Sequence, residues 1–110
     1  MIAESDYALF SSLKGGVSVA IMVMNFEVDD FDAWKQMFDS DPAGRKQAAK
    51  GHQIFRAADN PNHLFIGTEF ASVDDAKEFR ERLLASGALS NARVVHVQPT
   101  VTELADAATY

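Results

Sequence analysis

From Val17 to Val28 the chain reads Val-Ser-Val-Ala-Ile-Met-Val-Met-Asn-Phe-Glu-Val, with apolar and β-branched side chains at both parities. Such a run predicts a strand buried on both faces rather than one with a wet side. A sheet built around it needs cover on both sides. The chain has 110 residues, one domain's worth. Its remaining segments can cover one face, so the simplest cover for the other is a second copy, and a homodimer is expected.

The segments that follow alternate in period. Asp29 or Asp30 offers an N-cap oxygen, and Phe31, Trp34 and Phe38 then recur on one helical face to about Ser40. Asp41-Pro42 interrupts, and Ala43 to Lys50 reads as a basic second helical segment closed by Gly51. His52 to Ala58 and His63 to Ala71 read as strands joined by the turn-forming run Asp59-Asn-Pro-Asn62. Ser72 caps a helix lined by Ala76, Phe79, Leu83 and Leu84 and stopped by Gly87. Arg93 to Val101 is the last strand. The order β-α-β-β-α-β is the split βαβ pattern of ferredoxin-like α+β domains, with a four-stranded antiparallel sheet in the order 4-1-3-2. Residues 1–15 read as an N-terminal extension with a short helix around Tyr7 to Leu13, 16–101 as the domain, and 102–110 as a C-terminal tail.

Composition narrows the function classes. A net charge of −6 without a basic stripe argues against nucleic acid and against anionic membrane surfaces as partners. The absence of cysteine rules out disulfides, thiolate catalysis and Cys-ligated metals. No signal peptide or membrane span is legible, so a cytoplasmic location is the default expectation. No phosphate loop, nucleophile elbow or dinucleotide fingerprint is present, and no cofactor is expected.

Three stretches resemble a known family. Val28-Asp-Asp-Phe-Asp-Ala-Trp-Lys-Gln-Met-Phe-Asp39, Arg56-Ala-Ala-Asp-Asn-Pro-Asn62 and Glu69-Phe-Ala-Ser-Val-Asp-Asp-Ala76 look like the dimeric α+β barrel proteins, near the antibiotic-biosynthesis monooxygenases and small polyketide cyclase-like proteins. The resemblance spans roughly residues 17–101 and implies the fold and a homodimer. It leaves activity open, because one fold of this kind hosts many chemistries. In haem-degrading relatives an Asn on the first strand contributes to the site, and Asn25 stands in a similar place. Their Trp and His on later elements find no clear counterpart, since Trp34 lies on the first helix.

Sorting side chains by parity locates a candidate site. Pairing Ala58 with His63 across the turn puts Phe55, Ala57, Leu64, Ile66 and Phe70 against the helices. It leaves His52, Ile54, Arg56, Phe65, Gly67 and Glu69 on the opposite face, with His52 opposite Glu69. A slip of one residue would exchange the faces. The first strand adds Ile21, Val23 and Asn25 to that mixed face if Met22, Met24 and Phe26 face the helices, and the last adds Val94, His96 and Gln98 if Val95 and Val97 face the helices. On this reading His52 or His96 is a proton acceptor, Glu69 orients His52, and Asn25, Arg56 and Phe65 hold substrate. Each has a plainer reading: Asn25 satisfied by backbone, His52 and Glu69 a stabilising cross-strand pair, His96 a core residue, Arg56 bonded to a carboxylate, and His63 a solvated loop residue. A metal site is not expected. His52 and His96 would lie on opposite sheet edges, three strand spacings or roughly 14 Å apart.

The resemblance implies a cofactor-independent monooxygenase-like or related small-molecule enzyme, acting on an aromatic or polyketide-type substrate in an apolar pocket. A non-catalytic homodimeric ligand-binding or assembly module is the alternative.

Overall fold

The computed structural model describes residues 20–110. The expected N-terminal extension, its short helix around Tyr7 to Leu13 and the expected strand start at Val17 lie outside the described residues. Strand β1 (Ala20–Val28) alternates strictly between buried and half-buried side chains. Helix α1 (Phe31–Asp39) starts where Asp30 Oδ2 accepts the Ala33 N–H at 2.9 Å. The second helical segment is only one turn, α2 (Arg45–Ala48). The expected longer helix closed by Gly51 does not form, because Gly51 already belongs to strand β2 (Gly51–Ala57). Strand β3 (Asn60–Phe70) follows, then helix α3 (Val73–Ser86), a 3-10 turn (Ala88–Asn91) and strand β4 (Ala92–Glu103). Ser72 Oγ caps α3 by accepting the Asp75 N–H at 3.0 Å. Gly87 ends α3 at φ 76°, a left-handed conformation that costs glycine nothing.

The sheet order is β2-β3-β1-β4 with every neighbouring pair antiparallel, the 4-1-3-2 order of the ferredoxin-like α+β fold. Both long helices lie on one face. Met22, Met24 and Phe26 of β1 and Leu64, Ile66 and Phe70 of β3 pack there with Trp34 and Phe38 of α1 and Ala76, Phe79 and Leu83 of α3. Trp34 is a core side chain, stacked on Phe38 at 4.9 Å and edge-on to Phe26 at 5.7 Å. Arg45 is buried beneath α1, its guanidinium 3.6 Å from the centre of the Phe38 ring and donating to the Phe38 carbonyl at 3.2 Å. Burial pushes its pKa down, against the opposing pull of Asp41.

The hairpin corrects the expected register. Its loop is tight, with Ala57 paired to Asn60 and only Ala58 and Asp59 between them. Pro61, Asn62 and His63 are then taken up on the β3 side before Arg56 pairs with Leu64. The ladder continues as Phe55↔Phe65, Ile54↔Ile66, His52↔Thr68 and Gly51↔Glu69. This is one residue away from the expected pairing, and a one-residue slip exchanges faces. Strand β3 presents the expected sides, but β2 is inverted. Phe55 lies on the open face, 58% exposed, while His52, Ile54 and Arg56 turn toward the helix side.

Candidate functional site

The face of the sheet away from the helices carries the odd-numbered residues of β1: Ile21, Val23, Asn25 and Glu27. Cross-strand pairing sets Asn25 beside Phe65 and Glu27 beside His63. On the other side Asn25 pairs with Val97 and Phe26 with Val95, so His96 is the extra residue of a β-bulge. A bulge re-aims the side chain it adds. Here it delivers the His96 imidazole to the same cluster, where His96 Nε2–H donates to Glu27 Oε2 at 2.8 Å. His63 Nε2–H donates to Asn25 Oδ1 at 2.6 Å. The two imidazoles lie with centroids 4.9 Å apart, and His63 stacks on Phe65 at 4.7 Å. Arg93 donates to the other oxygen of Glu27, Oε1, at 3.0 Å and also reaches Asp29.

This constellation has a definite electrostatic character. The hydrogen bond from His96, with the Arg93 charge behind it, holds the Glu27 carboxyl below the usual carboxylate range. Glu27 is therefore an anion at neutral pH, and its Oε2 accepts the His96 Nε2–H. Asn25 Oδ1 holds His63 through the same ring atom. In each ring the hydrogen bond occupies Nε2 and leaves Nδ1 as the remaining polar atom. One donor atom from each of Glu27, His63 and His96 lies within 4.8 Å of the other two.

Asn25 and Phe65 also line an open, mostly apolar recess of about 540 Å³ that runs along this face past Val23, Phe55, Val97 and Leu104. The volume is in the range of small-molecule sites. Asn25 and Phe65 connect it to the polar cluster, whose Glu27, His63 and His96 are not among its lining residues. Gln53 lines the same recess, and its Oε1 is buried without a hydrogen-bond donor among the described residues.

The structure brings Asn25, Phe65 and His96 together and leaves the other three predicted site residues elsewhere. His52 faces α1, edge-on to the Phe38 ring at 5.1 Å. Partial burial, then the Arg45 and Lys35 charges, keep its pKa below the ordinary value. The predicted His52–Glu69 pair does not form, because His52 is opposite Thr68. Glu69 is buried at the far end of β3, 3.7 Å from Lys50 Nζ. It pairs with Ile21, six positions along β1 from Glu27 and so roughly 20 Å from the cluster. Arg56 donates to the Pro61 carbonyl at 2.9 Å and lies over the Phe31 ring, bracing the hairpin end rather than facing a pocket. Val97, expected to face the helices, lines the recess because of the bulge.

Sequence reasoning passed over Glu27, His63 and Arg93. Glu27 was visible by parity, being the next residue after Asn25 in the open-face row. His63 was misread because a residue after an Asn-Pro-Asn run looks like loop. Arg93 carried no sequence signal, since its role depends on the β1–β4 register.

No family model matches the chain, and no curated protein does. Solved structures do. A protein from Nitrosomonas europaea, provisionally described as an antibiotic biosynthesis monooxygenase, aligns over 81% of this chain and 88% of its own, at 14% identity and a TM-score of 0.54. The protein Rv0793 from Mycobacterium tuberculosis aligns over 84% of this chain and 97% of its own, at 18% identity and a TM-score of 0.55. A third, from Chloroflexus aurantiacus and with the same provisional description as the first, covers 84% of this chain and 96% of its own, at 9% identity and a TM-score of 0.56. No helix among the described residues is long and apolar enough to cross a membrane. The chain thus has the ferredoxin-like α+β fold of the antibiotic biosynthesis monooxygenase-like proteins.

Proposed function

We propose that the open sheet face, covered by a second copy of the chain, is the pocket of a small-molecule enzyme of the monooxygenase-like kind. The observation that supports this reading is the pair of imidazoles, each held by its own oxygen partner, next to Asn25 and Phe65, which line an apolar recess. The expected ligand is flat and largely apolar with an ionisable hydroxyl, as in an aromatic phenol or quinol. Phe65 and Phe55 offer ring surface for it. His63 or His96 accepts the hydroxyl proton at Nδ1, and the resulting imidazolium is stabilised by Glu27 or Asn25. Deprotonation makes such a ring electron-rich, which is the state that reacts with oxygen. Two structural neighbours are provisionally described as antibiotic biosynthesis monooxygenases, which supports a reading of the monooxygenase-like kind.

A non-catalytic dimeric module is the second reading. Phe55, Phe65, Val94 and Val97 are exposed on a single chain, and a partner that packs them fully would leave no room for a ligand. A thermal-shift screen of phenols, quinols and lactones separates the two. A stabilising ligand whose shift disappears in His63→Ala and His96→Ala, with the unliganded melting temperature of both variants within a few degrees of wild type, supports the pocket. No shift with any class, together with clear destabilisation of both variants, assigns these residues to structure.

A further inference from the structure

We propose that Glu27, His63 and His96 form a binding site for one divalent transition-metal ion of the zinc, nickel, copper or iron type. The donor set carries the assignment. Two imidazole nitrogens and one carboxylate oxygen suit borderline metals, whereas magnesium and calcium prefer all-oxygen sites. The spacing agrees. With metal–ligand bonds of about 2.1 Å, neighbouring ligands on one ion sit about 3.0–3.4 Å apart, from octahedral to tetrahedral geometry. His96 Nε2 and Glu27 Oε2 are 2.8 Å apart, so an ion that displaces the Nε2 proton sits to one side of the line joining them and the two atoms part by a few tenths of an ångström. The third donor, on His63, lies within 4.8 Å of the other two.

The surroundings are those of a metal site as well. Arg93 holds Glu27 through Oε1 and leaves Oε2 for the ion. Asn25 anchors His63 through Nε2–H, which leaves Nδ1 for coordination. Groups behind the ligands orient them and raise affinity. Three protein ligands leave coordination positions open, and Asn25, which holds His63, lines the recess. An ion here would accept the hydroxylate oxygen of a ligand in that recess. Metal binding itself needs no organic ligand, so the site stands or falls separately from the pocket reading.

The experiment titrates the full chain, freed of metal with EDTA, with Co²⁺ followed by its visible d–d bands and with Zn²⁺ followed by His ring resonances in NMR. Expected are one ion per chain, shifted His63 and His96 resonances, and an unmoved His52. His63→Ala, His96→Ala and Glu27→Gln should each weaken binding by about tenfold or more, while His52→Ala leaves it unchanged. Affinity should fall as pH drops through the imidazole range, because protons compete for the same nitrogens. The wild-type resonances decide the question even if a variant fails to fold. No binding at 100 µM-scale concentrations (on the order of weak adventitious contact) overturns the site, as does binding that survives in the His63→Ala/His96→Ala double variant or moves His52 equally. The ligand screen run in EDTA reports on the pocket alone.

Discussion

The two faces of one sheet are built from the same strands and behave as different materials. On the helix side, Met22, Phe26 and Leu64 are between 0% and 2% exposed, and aromatic rings interlock from sheet to helix. On the open side, one residue along the same strands, stand Asn25, Glu27 and His63, and Phe65 is 40% exposed. The first face is optimised for folding and the second is not. A chain that keeps histidines, a carboxylate and bare aromatic rings side by side on one sheet face forgoes stability there, and sites for ligands are where that is expected.

The largest contrast should come from equal truncations on the two sides. Phe26→Ala removes a fully buried ring and should cost about 3–5 kcal/mol in urea unfolding, enough to leave a small domain barely folded. Phe55→Ala should change the stability of the isolated subunit by less than about 1 kcal/mol. Its effect should appear in assembly instead. Wild type is expected to sediment as a dimer at micromolar concentration, and Val97→Glu, which puts a charge on the exposed face, should shift it toward the monomer. A wild-type protein that sediments only at 12.0 kDa would break the comparison, because the open face would then need no partner.

A smaller effect distinguishes the faces by pH. His52 on the helix side has its pKa held below the ordinary 6.5, so the unfolded chain takes up its proton first as pH falls. Stability should therefore begin to drop below about pH 6.5 and stop dropping once the folded His52 is itself protonated. Glu27 on the open face is held below 4.5 by His96 and Arg93, so its contribution is present above that value and lost as pH falls through the lower folded one. Urea midpoints measured from pH 3 to 8 should lose the upper step in His52→Gln and the lower step in Glu27→Gln. If one variant removes both steps, the two groups are coupled and the faces are not independent.

The smallest effect belongs to neither face. Lys35 and Asp39, four apart on the solvent side of α1, pair at 2.7 Å. Lys35→Ala should cost no more than about 0.5 kcal/mol and should be invisible at high salt. A larger loss would mean that α1 depends on its outer surface as well as on Trp34 and Phe38.

Periodicity along the chain is a covalent property, and what rests on it was legible from sequence. The alternation in β1 separated Met22, Met24 and Phe26 from Asn25 without reference to any other strand. The Asp29-Asp30 pair and Ser72 announced the starts of α1 and α3, and Gly87 the end of α3, because caps satisfy local backbone groups; the structure chose Asp30 of the pair. The fold followed from the order of these elements. How strands register on one another is a different kind of fact. The tight Ala58-Asp59 loop and the three residues absorbed after it slipped β2 by one position, which removed His52 and Arg56 from the open face. The bulge in β4 aimed His96 at Glu27. Only tertiary pairing placed His63 beside both, since residues 27, 63 and 96 belong to three strands and no local pattern connects them. A one-residue change in loop geometry costs little in energy but reverses every side chain of a strand. For that reason the parts of the core that β1, β3 and the helices supply were determined by sequence pattern, while the facing of Phe55 in β2 and Val97 in β4, and the membership of the site, were decided by the way the strands came together.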